Sequence, residues 1–186
     1  MTLDGLLRST CEALRRAGIP FMLTGSVATA FHGASRATMD IDFVIDSTET
    51  QLDAFVTEIE ASGAYVSRAA AYDALSHRTM FNVIDGESGW KADFMIRKDR
   101  AFSEEEFRRR EATEYCGMPL HVVTLEDVLL SKMEWAKLGG SARQIEDVRA
   151  LLRLHRGSVD TRYVERWIDV LDVRAQWNAA SSAEEL

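Results

Sequence analysis

Phe21-Met22-Leu23-Thr24-Gly25-Ser26 and, across a spacer of residues 27–39, Asp40-Ile41-Asp42-Phe43-Val44-Ile45 are the two runs that decide the architecture. The first is a short apolar run closed by a Gly-Ser step. It reads as a buried strand turning directly into a helix over Val27 to Phe31, which Gly33 ends. Glycine at such a turn permits close backbone approach, and the N–H groups exposed at a helix start suit a phosphate. The second run is β-rich and alternates at its start, so it reads as a strand. Side chains alternate across a strand, which puts Asp40 and Asp42 on one face and Ile41, Phe43 and Ile45 on the other. The apolar triplet is the core face. The two acids then stand side by side with Cβ atoms about 6–7 Å apart. Like charges held together resist joint ionisation; a divalent cation removes that penalty, and hard Mg2+ prefers carboxylate oxygens. Singly, an Asp-x-Asp is most often a solvated strand face and a Gly-Ser an ordinary turn.

A third acid changes the weighing. Thr79 to Ile84 and Trp90 to Ile96 read as two strands joined across Asp85-Gly86, and Asp93 sits inside the second, in the otherwise core-like run Ala92-Asp93-Phe94-Met95-Ile96. An acid there needs a partner or a metal. Phosphoryl-transfer sites with two cations about 3.5–4 Å apart require such a cluster. Around this centre, Leu3 to Ala17 reads as a helix closed by Gly18, Ser47 as the cap of a helix over Glu49 to Ala61, and Ala64 to Ser67 as a short strand. Ser103-Glu104-Glu105-Glu106 has the pattern of a capping box, with its helix expected to reach about Tyr115. Pro119 introduces a last strand over Leu120 to Val123. From Thr124 onward everything reads as helix: one ended by Gly139-Gly140, a second opened by Ser141 and running to His155, and a third capped by Asp160 and carrying Tyr163, Val164, Trp167, Ile168 and Leu171.

Composition bounds the rest. The chain has 186 residues, 46% hydrophobic and 28% charged, which suits one domain, or one domain with a helical appendix, and excludes a disordered chain. A formal net charge of −8 disfavours nonspecific attraction to nucleic acid, leaving a local basic patch or a bound metal as the way to hold it. Cys11 and Cys116 lie far apart and form no ligand pair, and His32, His77, His121 and His155 show no metal-ligand spacing. No signal peptide is evident. The longest stretch free of Asp, Glu, Lys and Arg, Ala17 to Ser35, is broken by Gly and Pro and wetted by Thr, Ser and His, so a soluble, cytoplasmic protein without a membrane partner is expected.

Leu23-Thr24-Gly25-Ser26, Asp40-Ile41-Asp42-Phe43 and Ala92-Asp93-Phe94 together resemble the nucleotidyltransferase superfamily with the polymerase-β-like fold. The tail, with Thr124-Leu125-Glu126-Asp127-Val128, Lys132 and Arg143-Gln144-Ile145-Glu146-Asp147-Val148, is similar to the helical part of the AbiEii/AbiGii toxin-like group. The resemblance covers roughly Phe21 to Leu171. It implies an α/β (α+β) minimal nucleotidyltransferase core over 1–123, with a mixed sheet flanked by helices, and a helical segment over 124–186 packed on it. It also implies an Mg2+-dependent enzyme, with Mn2+ as the alternative ion, that moves a nucleoside monophosphate from an NTP to an acceptor hydroxyl. Asp40, Asp42 and Asp93 would bind metal, with Asp93 also assisting deprotonation of the acceptor; Gly25 and Ser26 would hold phosphates.

Lys132 lies in the apolar stripe of its helix, where an ammonium must snorkel or meet an anion; the resemblance places it on nucleotide phosphates or the acidic site. Asp147, four residues after Arg143, reads either as half of a surface helix pair or, by resemblance, as a supporting site residue. Arg36 and Thr38, in the loop before Asp40, read as a solvated arginine and its neighbour or as nucleotide contacts, an arginine there neutralising developing phosphate charge. Arg97-Lys98-Asp99-Arg100 and Arg108-Arg109-Arg110 read as solvated faces or as a footprint for an RNA acceptor. Trp135 reads as packing or as the lining of a base pocket. A tRNA end, a protein hydroxyl and a small molecule all stay open as acceptors, and a cognate antitoxin is the implied partner. Two other functions stand beside transfer: a nucleotide-sensing or protein-binding module that has lost turnover, and a phosphoesterase using the same acids.

Overall fold

The computed structural model describes residues 2–34, 38, 40–115 and 117–182. In chain order its elements are α1 (Leu3–Arg16), β1 (Phe21–Thr24), α2 (Gly25–Phe31), β2 (Asp40–Ile45), α3 (Glu49–Ala61), β3 (Tyr65–Val66), α4 (Arg68–His77), β4 (Met80–Ile84) and β5 (Lys91–Ile96). Then come α5 (Ala101–Arg109), β6 (Glu111–Tyr115), β7 (Met118–Val122), α6 (Leu125–Gly139), α7 (Ala142–Leu154), α8 (Thr161–Val170) and α9 (Arg174–Ser181). The strands form a seven-stranded mixed sheet in the order β3-β4-β5-β2-β1-β7-β6. The fold is the α/β class read from the sequence, a mixed sheet flanked by helices.

Aromatic residues set the register at the centre of this sheet. Phe43 of β2 is the Cα partner of Phe94 of β5, which is in turn the partner of Phe81 of β4. Their rings stack with centroids 5.4 and 5.0 Å apart, and Phe55 of α3 meets Phe94 edge-on at 5.1 Å. Cross-strand aromatic pairs of this kind stabilise a sheet, and a slip by one residue would expose the whole row. The residues one position back face the other way. Locking the phenylalanines together therefore brings Asp42 and Asp93 together on the opposite face, as Cα partners on parallel neighbouring strands. On the far side of β2, antiparallel β1 supplies Thr24 as the other partner of Asp42.

The end of α5, the start of α6 and α8 are tied by a polar knot. Asp127, fully buried, accepts hydrogen bonds from Thr124 Oγ1 (2.6 Å), Tyr163 Oη (2.6 Å) and Arg109 Nε (3.1 Å), while the Arg109 guanidinium lies 3.9 Å over the Tyr163 ring. A buried carboxylate is tolerated only when satisfied in this way. Tyr163→Phe removes one donor and keeps the shape, so a loss of about 1–2 kcal/mol in unfolding free energy is expected, measured by denaturant titration.

Several boundaries differ from the sequence reading. The cap of α3 is Thr48, which forms a capping box with Gln51, and not Ser47. Helix α5 starts after Arg100, so Ser103 lies inside it, buried and accepting from Arg100 Nε. That helix stops at Arg109, and Glu111–Tyr115, expected as its continuation, is an edge strand antiparallel to β7. Helix α2 starts at Gly25, two residues before Val27. Helices α4 and α9 were not anticipated. Ser141 does stand at the start of α7, without a capping hydrogen bond from its side chain. Cys11 is buried and a free thiol; Cys116 lies outside the described residues.

Candidate active site

The site begins at the junction of β1 and α2. Gly25 has φ +64°, and a Cβ on it would stand 2.0 Å from Asp42 Oδ2. Both the left-handed backbone and the approach of the Asp42 carboxylate demand glycine. Thr29 Oγ1 donates to the Gly25 carbonyl at 2.7 Å and steadies the turn. The Ser26 backbone N–H donates to the Asp42 carboxylate. The N–H anticipated for a phosphate thus already orients an acid. Gly25→Ala is expected to cost about 1–3 kcal/mol of stability and to displace Asp42, read as a lower melting temperature.

Burial pushes the Asp42 carboxyl up to about 6, and the charge of Asp93 adds to the rise; the Ser26 N–H opposes it, Asp40 raises it further and Lys132 lowers it. Asp93, with a side chain 9% exposed, accepts from Lys91 Nζ at 2.8 Å through Oδ2, whereas its Oδ1 is buried without a hydrogen-bond partner. Asp40 stands further out, with Lys91 Nζ 3.8 Å from its Oδ1. The structure therefore brings Asp42 and Asp93 into contact range and attaches Asp40 through the shared lysine.

Among the described residues no three Asp, Glu, His or Cys side chains form a ready metal cage. What is present suits Mg2+ nonetheless: the ion takes one or two carboxylates and completes its shell with phosphates and water. The orphaned Asp93 Oδ1 and the raised Asp42 are the groups such an ion would satisfy.

Lys132 of α6 does not snorkel. It is 3% exposed, and its Nζ meets Asp147 Oδ2 at 2.7 Å and Gln144 Oε1 at 3.0 Å, both on α7. Asp147 is correspondingly buried and serves this lysine, so the expected surface pairing with Arg143 gives way to a buried ion pair. Thr38 Oγ1 shares hydrogen bonds with the Asp40 backbone, donating to its carbonyl at 3.2 Å and accepting from its N–H at 3.3 Å; Arg36 lies outside the described residues.

A cleft of about 480 Å3 is lined by part of this set, with Thr38, Asp40, Lys91 and Asp147 outside its lining. Thr24, Gly25, Ser26, Asp42 and Asp93 line it together with Lys132 and Gln144, and so do Lys98, Arg100, Trp135 and Leu138. The two basic runs separate here. Arg97, Lys98 and Arg100 face the cleft, with Arg100 held bidentate by Glu134 (Nη2 to Oε2 2.6 Å), whereas Arg108 is spent on Glu105 and Arg109 on the knot around Asp127. The sequence reading does not contain four features found around the acids and the cleft: the Lys91 bridge to Asp93, the Gln144 bond to Lys132, the Arg100–Glu134 pair, and the burial of Glu106. Burial pushes Glu106 up to about 8, and it accepts from Ser131 Oγ at 2.6 Å. Only Lys91 left a local signal, two residues before Asp93 on the same strand face.

Comparison with known proteins bears on the fold and on the family. The crystal structure of ANT(2'')-Ia in complex with adenylyl-2''-tobramycin superposes with a TM-score of 0.61 at 16% identity, over 94% of this chain and 99% of that one. The lincosamide antibiotic adenylyltransferase LnuA, lincomycin-bound, gives 0.53 at 14% identity over 83% and 98%, and JHP933 from Helicobacter pylori gives 0.51 at 16% over 97% and 79%. At such identities the likeness shows the fold. No protein of curated function matches the sequence. The sequence pattern described as "nucleotidyl transferase AbiEii toxin, type IV TA system" matches residues 12–183, and with that match over nearly its whole length the chain belongs to the AbiEii nucleotidyltransferase family.

Proposed function

We propose that this protein transfers a nucleoside monophosphate from an NTP to an acceptor hydroxyl in an Mg2+-dependent reaction, with Mn2+ as the alternative ion, releasing pyrophosphate. The observation that carries the reading is the placement of Asp42 beside Asp93, against the Gly25 turn and within the field of Lys132, in the lining of a cleft sized for a small substrate. Asp42 and Asp93, with Asp40 on the outer side, would hold the metal. When bound, the ion supplies Lewis-acid stabilisation of the phosphates and of the oxygens that gain charge. The remaining work belongs to the chain. Lys132, oriented by Asp147 and Gln144, places a fixed positive charge beside the acids. Gly25 and Ser26 would set the wall on which the distal phosphates rest, Thr38 fixes the backbone leading into Asp40, and Asp93 would take the acceptor proton. Arg36 would add a cation from the adjoining loop. Trp135, in the cleft lining and 45% exposed, offers a face for a base to stack on.

The core over 1–123 would carry the acids and the segment over 124–186 the lysine, so that the cleft closes between them. Membership of a type IV toxin family supports a toxin role and a cognate antitoxin as partner, acting in the cytoplasm. Among the described residues no helix is long and apolar enough to cross a membrane. For the acceptor, the tobramycin and lincomycin of the structural neighbours bring a small-molecule hydroxyl in as a candidate beside RNA and protein. The test is incubation with each α-labelled NTP, Mg2+ or Mn2+, and a cell extract, followed by separation of RNA, protein and small molecules. Label entering one fraction with one NTP is the expected result. Calorimetric NTP binding without label transfer or pyrophosphate release would instead favour a sensing module.

A further inference from the structure

A second concavity, of about 310 Å3, shares no lining residue with the cleft. Arg15 from α1, Arg110 from the α5–β6 junction and His121 from β7 line it, together with Phe21 and Pro119. In a chain of net charge −8, three basic side chains from three elements line this one concavity. Among the described residues neither arginine has a carboxylate at ion-pair distance. Arg15 is exposed, with its guanidinium 5.8 Å from the Phe21 ring centroid. Arg110 is held in place by Phe107, lying 4.2 Å over its ring and donating to its carbonyl, and its Nε is buried without a hydrogen-bond partner. Asp46, whose charge reaches Arg110, is already engaged by Arg97 Nε at 3.1 Å. Clustered cations repel one another, and an anion seated among them removes that cost.

We propose that this groove is a phosphate-binding site separate from the nucleotide cleft. Guanidinium groups match phosphate oxygens bidentately, and a tetrahedral dianion presents acceptors in several directions, as donors arriving from three elements require. A planar carboxylate offers fewer. The imidazole of His121 reports on occupancy. Burial lowers its pKa and the charges of Arg110 and Arg15 lower it further, so an anion among them reverses the electrostatic part.

The test follows His121 by NMR through a pH titration of the intact chain, with and without inorganic phosphate. Phosphate is expected to raise the His121 pKa by about one unit or more. Arg15→Gln, at an exposed helix position that leaves folding intact, and Arg110→Gln should each raise the pKa without phosphate and abolish most of the response to it. A 5′-hydroxyl oligoribonucleotide in phosphate-free buffer is the second arm. A response to the oligonucleotide alone assigns the phosphate to a nucleic-acid backbone; a response to inorganic phosphate, with or without one to RNA, assigns it to a small anion. No shift with either, or an undiminished shift in Arg15→Gln, overturns the proposal. Because transfer is not the readout, the outcome is independent of the reading of the cleft.

Discussion

Asn in place of Asp42 is expected to abolish nucleotide transfer, by at least about 10³-fold, while the protein melts at or above the wild-type temperature in metal-free buffer. The second half follows from the raised carboxyl. Folded Asp42 titrates at about 6 against an ordinary value of 3.8, chiefly because it is buried and secondarily because Asp93 stands beside it. Between those values the folded chain binds more protons than the unfolded one, so stability falls as pH rises through the window. Above pH 6 the whole cost persists, on the order of 3 kcal/mol. Asparagine keeps the shape and the bond from Ser26 and carries no charge, so it relieves that cost. Wild type should therefore show a melting temperature that declines from pH 4 to pH 6 and recovers on addition of Mg2+. Asp42→Asn should show a flatter profile and little gain from the ion. Thermal melts across pH, with and without Mg2+, and transfer assayed in parallel decide the matter. Transfer within tenfold of wild type would remove Asp42 from the chemistry.

The acids were legible because the signals that place them are local and periodic. Alternation in Asp40–Ile45 separates the acid face from the apolar face, and the same alternation around Asp93 marks an acid out of keeping with its strand. Once Phe43, Phe94 and Phe81 pair across the sheet, the meeting of Asp42 and Asp93 follows. Elements without such contrast were misread. Helix α4 buries only Ala71 and Ala74 and so presents no apolar stripe. Glu111–Tyr115 is a polar edge strand whose exposed residues continue the charged pattern of α5, and its strand character comes from pairing with β7. Ser103 has the sequence of a cap, yet the chain enters the helix earlier, where Arg100 is locked by Glu134. Long-range polar pairs were beyond the sequence for the same reason: nothing near Lys132 names Asp147 over solvent as its partner.

That buried pair gives the other large expected effect. Lys132→Met should destabilise the protein by about 3–5 kcal/mol, because Asp147 is left in a site 8% exposed without its cation. A domain of this size has only about 5–15 kcal/mol in hand, so the single variant should be partly unfolded at growth temperature. Asp147→Leu alone should cost a comparable amount, since it takes the 2.7 Å carboxylate from a buried ammonium. Lys132→Met combined with Asp147→Leu removes both charges and fills the space between α6 and α7, and it is expected to recover most of the lost stability. Recovery of the fold should not restore transfer. Lys132 also lowers the Asp42 carboxyl toward its charged form, and without that cation the acid site loses both a phosphate counter-charge and part of its ionisation. The double variant thus separates the two duties of the lysine. Stability regained with transfer still absent is the expected result, read from denaturant unfolding and labelled-NTP assays on the same preparations. Transfer regained along with stability would reduce Lys132 to a packing role.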